Sequence, residues 1–248
     1  MKHWIGVGVL LAAIGLTGCS SLQTVEVHRQ LELPLESIEA LEIQTESSDL
    51  ILRGDDQAHV ITVEATIRKS QNIADEDIVV TLEKDGNVAK LVSETKGGFG
   101  IRYTDIDLTV TIPSHLPVSI ADDSGDIDIS HLTGPLTVQD DSGDISITDV
   151  TGEVAIDDQS GDITIKNASA LKLIHDESGQ ISLENTAGDL EIEDESGDMR
   201  ITKHDGNLTI SDGSGDIDID TVTGDVVILE DGSGNRKVKK VSGSVTEK

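Results

Sequence analysis

From Asp122 to Val245 the chain repeats itself every eighteen residues, and so short a period permits few folds. The serines of a recurring Ser-Gly-Asp motif fall at Ser124, Ser142, Ser160, Ser178, Ser196 and Ser214, and Ser233 follows after nineteen. A second glycine stands ten residues after most of them, at Gly134, Gly152, Gly188, Gly206, Gly224 and Gly243, with Ala170 breaking the column. One such segment cannot bury its own apolar face and must stack on a neighbour, which is the logic of a solenoid.

Within each repeat the apolar residues alternate. Ile127 and Ile129 flank Asp128; Leu136 and Val138 flank Thr137; Ile145, Ile147, Val154 and Ile156 follow, and later repeats copy them. Period two with β-branched residues means strands with one face inward. A further small or apolar residue stands at the turn (Leu132, Val150, Ala168, Val222, Val241), replaced by Thr186 and His204 in two repeats. Eighteen also divides into three hexapeptides, as in a three-sided helix. Here glycines and apolar pairs recur at nine, which favours two strands per coil. The expected fold is all-β: a two-sheet parallel β-solenoid (β-helix) of about seven coils, preceded by an N-terminal antiparallel β region.

Beyond residue 19 the chain holds one Phe and one Tyr, Phe99 and Tyr103, so the core must be aliphatic. The formal net charge is −30. Such acidity argues against nucleic acid and against electrostatic docking on anionic lipid, and suits divalent cations or basic partners.

Lys2 and the apolar run Ile5 to Leu16 form a targeting segment too short to span a bilayer comfortably. It ends in Leu16-Thr17-Gly18-Cys19, which resembles the lipobox of bacterial lipoproteins. That resemblance implies lipidation of Cys19 and membrane attachment; a chance cysteine after an ordinary signal is the alternative. Cys19 is the sole cysteine, so no intrachain disulfide competes for it. Ser20 is not the aspartate that resembles an inner-membrane retention signal, so in a cell with two membranes the outer one is the expected destination. The expected division is a signal peptide at 1–18, a lipidated tether at 19–38, an N-terminal β region at 39–120 and the repeats at 121–248.

In that β region Glu46-Ser47-Ser48-Asp49-Leu50-Ile51-Leu52 reads as a degraded repeat, hence an early coil. Alternating runs at 60–67, 78–82, 88–92 and 106–112 suggest an antiparallel meander capping the first coil, with Asp85-Gly86-Asn87 as a hairpin turn. Lys96-Gly97-Gly98-Phe99-Gly100 reads as a plain loop, because no Gly-Lys-Ser/Thr follows it. Leu171, Lys172 and Leu173 shift the alternation and predict a bulge. Arg236, Lys237, Lys239 and Lys240 crowd the last coil and read as a basic end cap.

An N-terminal strand region followed by serial Ser-Gly-Asp-Ile-x-Ile and Gly-x-Leu-x-Val half-repeats, over roughly Leu41 to Val245, resembles a bacterial β-strand-repeat family labelled "putative adhesin", of unknown function. The resemblance implies an envelope protein and brings no catalytic residues.

Two aspartate columns remain. One precedes each repeat serine by two: Asp122, Asp140, Asp158, Asp176, Asp194, Asp212 and Asp231. The other follows it by two: Asp126, Asp144, Asp162, Gln180, Asp198, Asp216 and Asn235. Aspartates before Ser-Gly can accept turn N–H groups, and alternation from Leu136 and Val138 puts Asp140 inward. Alternatively, adjacent coils could supply the six to eight oxygens of calcium from Asp122, Asp126, Asp140, Asp144, Asp158 and Asp162. The motif differs from the calcium-binding nonapeptide roll, because here the aspartate directly precedes the first inward isoleucine. His28, His59, His115, His131, His175 and His204 form no pair at ligand spacing and are expected on the surface. The expected function is a non-enzymatic, membrane-anchored envelope lipoprotein with a structural or adhesin-like role toward an unknown protein or surface partner. The alternatives are a calcium-binding envelope module and a polysaccharide-active β-helix enzyme, the latter opposed by the lack of aromatic platforms for sugars.

Overall fold

In the computed structural model the described residues are 13–14, 24–97 and 103–247. Apart from one 3-10 turn (Asp75–Asp77) the regular elements are strands. Each repeat contributes two, because its two apolar pairs lie nine residues apart with a glycine-bearing turn between. One sheet receives β9 (Val118–Asp122), β11 (Leu136–Asp140), β13 (Val154–Asp158), β15 (Leu171–Asp176), β17 (Leu190–Asp194), β19 (Leu208–Asp212), β21 (Val226–Asp231) and β23 (Val245–Glu247). The other receives β10 (Ile127–Ser130), β12 (Ile145–Val150), β14 (Ile163–Ala168), β16 (Ile181–Ala187), β18 (Met199–Asp205), β20 (Ile217–Val222) and β22 (Arg236–Val241). All neighbours in these stacks are parallel, and equivalent residues pair: Ile127 with Ile145, Ile145 with Ile163, Ile163 with Ile181. The two-sheet solenoid expected from the nine-residue spacing is therefore the fold.

Earlier in the chain come β1 (Ala13–Ile14), β2 (Thr24–Pro34), β3 (Ala40–Thr45), β4 (Ser48–Gly54), β5 (Val60–Ser70), β6 (Ile78–Asp85), β7 (Val88–Thr95) and β8 (Thr104–Ile112). Strands β3 and β4 are the early coil, with Leu50 opposite Ile127 and Ile43 opposite Ile120. The pairs β2–β5, β5–β8 and β6–β7 are antiparallel, the last through the Asp85-Gly86-Asn87 turn. A purely antiparallel cap is nevertheless incorrect. Strand β7 runs parallel to β3 and β8 parallel to β4, so these two form one more rung beneath the early coil. Alternation reports which face of a strand is buried and says nothing of its direction.

One aliphatic cluster runs the length of the molecule, from Leu31 to Ile228. Tyr103 stays outside it, 44% exposed. The bulge is where the alternation breaks: Val154 pairs with Leu171 and Ala155 with Leu173, which leaves Lys172 unopposed and Leu173 39% exposed. The end coil is exposed, and its cations reach back to the previous one: Lys237 Nζ lies 2.7 Å from Asp218, Lys240 Nζ 2.8 Å from Asp220.

His204 corrects the expectation of a surface residue. It is 1% exposed, in the column of Val150, Ala168 and Val222. Its Nδ1 lies 3.0 Å from the Thr186 hydroxyl and its Nε2 2.9 Å from the Gly188 carbonyl, so Nε2–H donates and Nδ1 accepts. Burial holds its pKa below the ordinary value and keeps the ring neutral. A base with a lowered folded pKa stabilises the fold above its unfolded pKa, and that contribution is lost as the pH falls. His204→Val will cost about 1–3 kcal/mol in chemical denaturation, because the Thr186 hydroxyl loses its partner in the core. Thr186→Val/His204→Val will recover the part due to the Thr186 hydroxyl, the Gly188 carbonyl still lacking the His204 donor; equal costs for the single and double variants would contradict the pairing.

Candidate functional site

Two aspartate columns that repeat with the coils line the Ser-Gly turns along one edge. Strand alternation turns the first aspartate column inward. Asp122, Asp140, Asp158, Asp176, Asp194 and Asp212 are each no more than 4% exposed and stack in register. One carboxyl oxygen closes the turn: Oδ1 of Asp140, Asp158, Asp176 and Asp194 accepts the N–H of Ser142, Ser160, Ser178 and Ser196 at 2.9–3.2 Å. The second oxygen of these four is buried with no hydrogen-bond partner. Burial, opposed by those N–H groups, pushes Asp140 and Asp176 up to about 6 and Asp158 and Asp194 up to about 7. Neighbouring carboxylates of the column add to the rise at Asp158 and Asp194.

The second column is exposed and works differently. Oδ1 of Asp126 accepts the N–H of Asp144, that of Asp144 accepts from Asp162, and that of Asp162 accepts from Gln180, at 2.9–3.1 Å. Each carboxylate thus caps the coil after its own, as Asp198 does for Asp216. The six aspartates of the calcium alternative therefore fall into two sets that do not form one ligand cluster. Asp122, Asp140 and Asp158 point inward, while Asp126, Asp144 and Asp162 are engaged with backbone donors outside. Among the described residues no three His, Cys, Asp or Glu side chains converge as ligands of one metal ion. Beside the inward column runs a groove of about 250 Å³ lined by Asp123, Gln139, Asp141, Asp157 and Gln159.

Two features of this framework were missed in the sequence. The inward column continues into the N-terminal region as hydroxyls: Thr45 pairs with Asp122, Ser93 with Thr45, and the Ser93 and Ser48 hydroxyls are 2.8 Å apart. At the opposite corner His131, Asp149, Asn167, Asn185, Lys203, Thr221 and Lys240 all have φ between 53° and 70°. Asn185 donates to Asn167 at 2.7 Å and Asn167 to Asp149 at 2.8 Å, a side-chain ladder at positions where Asn and Asp tolerate the left-handed backbone. The eighteen-residue recurrence of Asp149, Asn167 and Asn185 was the available signal.

The lipobox Leu16, Thr17, Gly18 and Cys19 lies outside the described residues. Among the described residues no helix is long and apolar enough to cross a membrane.

With the rungs and both columns in place, comparison with known proteins adds the lineage. The family described as Toastrack DUF4097 matches residues 38–246. The chain belongs to the Toastrack DUF4097 family. Its match takes in β3 to β8 along with the repeats, in keeping with one continuous stack. Similar solved structures include a "putative adhesin" from Bacteroides fragilis, 15% identical with a TM-score of 0.45, covering 89% of this chain and 97% of that one. A "putative cell adhesion protein" from Clostridium sporogenes is 8% identical with a TM-score of 0.31, covering 89% and 99%. A "putative lipid binding protein" from Parabacteroides distasonis is 17% identical with a TM-score of 0.27, covering 89% and 96%. Comparison with the curated proteins gives no match.

Proposed function

We propose that this Toastrack protein is a lipid-anchored envelope component that presents a stiff β-solenoid as a structural or adhesive surface, without catalysis. The observation that carries this reading is a continuous stack of paired strands whose β2 begins at Thr24, five residues after the cysteine of Leu16-Thr17-Gly18-Cys19. Counted from β2, eleven strands in one sheet, at about 4.8 Å each, reach on the order of 50 Å from end to end. Ladder hydrogen bonds and one shared core along that length make a rod. Acyl chains on Cys19 would hold it at the membrane, since two or more chains give stable anchoring. An outer-membrane location follows from Ser20 if the cell has two membranes.

Labelled fatty acid and fractionation test the anchor. The wild type will take up label and sediment with membranes; Cys19→Ser will do neither. An unlabelled, cytosolic wild type would reject the reading. A deletion strain should lose attachment to surfaces or envelope integrity while its extracts keep unchanged polysaccharide-cleaving activity.

A further inference from the structure

The inward aspartates do more than close turns, because turn closure uses only one of their two oxygens. Four consecutive members, Asp140, Asp158, Asp176 and Asp194, bury the other oxygen without a hydrogen-bond partner. Strand pairing sets them about 4.8 Å apart. Fully ionised, they would form a row of like charges out of water, each with an unsolvated oxygen. The groups facing them relieve this only in part: the Asp141 and Gln159 N–H groups favour the charged forms of Asp140 and Asp158, while most neighbouring side chains are acidic. Asp140 feels Asp141 and Asp126; Asp158 feels Asp140 and Asp176; Asp194 feels Asp176 and Asp212. Asp176 feels Asp162 and Glu177, with His175 as the opposing cation when protonated. At the cap end Asp122 faces Asp140 on one side and the Thr45 hydroxyl on the other. A proton on one carboxyl removes a charge and turns an orphan acceptor into a donor.

We propose that the inward aspartate column is a proton-binding element, in which stacked carboxyls share protons near neutral pH and the coils loosen when those protons leave. The ligand is the hydronium ion of the surrounding water, and the step is a plain proton transfer to a carboxylate. The sign follows from linkage. These acids have folded pKa values raised from 3.8 to about 6–7, so between those values the folded chain holds more protons than the unfolded one. Their stabilising contribution is complete below about pH 3.8 and is lost as the pH rises through about 7. The rod is then a pH-responsive body, tighter in mild acid than in mild alkali. His204 acts in the opposite sense, so the decisive comparison is between variants.

Thermal unfolding of the full-length protein at about pH 5.5 and about pH 8 tests the proposal. The wild type will melt lower at the higher pH. Asp158→Asn and Asp194→Asn, which keep the turn acceptor and cannot ionise, will melt a few degrees higher than wild type at about pH 8 and show a smaller fall between the two conditions. Asp128→Asn, at an outward strand position, will track the wild type. Infrared spectra of the wild type at neutral pH will show the carbonyl stretch of protonated carboxyls, disappearing in alkali and weaker in the Asn variants. That measurement decides the matter even if a variant does not fold. Parallel profiles for wild type and both column variants, or no protonated carboxyl at neutral pH, would overturn the proposal. So would calcium chloride at pH 8 restoring the melting temperature of the wild type to its acid value, since a metal would then be the neutralising ligand.

Discussion

Gly161→Ala will destabilise the protein by on the order of 3 kcal/mol or more, the largest effect expected from adding a single methyl group. Gly161 has φ of +146°, where an L side chain is strained, and a Cβ there would overlap the Gly143 carbonyl of the coil beneath. Gly143 meets the Gly125 carbonyl in the same way, and Gly179 meets that of Gly161. Coils at ladder spacing cannot move apart at one corner without breaking bonds such as Gly143 N–H to Ser160 O at 3.1 Å. Gly86→Ala is the natural contrast: its φ is +65° but nothing lies within 4 Å of the added atom. It should cost about 1 kcal/mol, for backbone conformation alone. Denaturant titration of both separates overlap from conformation, and similar losses would mean that the stacked turns have room to give.

Ile165→Ala comes next, at about 2–5 kcal/mol. Ile165 is 0% exposed and sits between Ile147 and Leu183 on adjoining rungs, so the cavity weakens two coil interfaces at once. In a one-dimensional stack the damage should stay near its origin. Hydrogen exchange is therefore expected to rise first in β12, β14 and β16, before β4 or β20. Leu173→Ala, in the bulge, should change stability by within about 0.5 kcal/mol, because that side chain already faces solvent. Uniform loss of protection along the whole rod would show that the coils unfold as one block.

The contrast between Ile165 and Leu173 also shows how far the sequence could be read. In the repeats, periodicity alone determines which residues point inward, and the bulge at Lys172 was visible as a broken alternation. In the N-terminal region the same alternation marked strands and a hairpin but left their order open. Strands β7 and β8 return to pair with β3 and β4 across forty or more residues of sequence, and no local pattern encodes that. At the turn edge, the inward face of Asp140 followed from Leu136 and Val138. Its orphan oxygen did not, because a turn motif names the acceptor of one N–H and leaves the second lone-pair site unassigned. His204 misled for a related reason: Thr186 and His204 stand out as two polar exceptions in an apolar column, and only their pairing across one coil lets both be buried.

Distances between spin labels on the outer face give the most direct test of the stacked-rung fold. In a Cys19→Ser background, labels at Asp128→Cys and Ser182→Cys sit three rungs apart, and labels at Asp128→Cys and Asp218→Cys five. The stack predicts narrow distributions whose centres differ by about 10 Å, two rungs at about 4.8 Å each. Equal distances for the two pairs, or broad overlapping distributions, would contradict it.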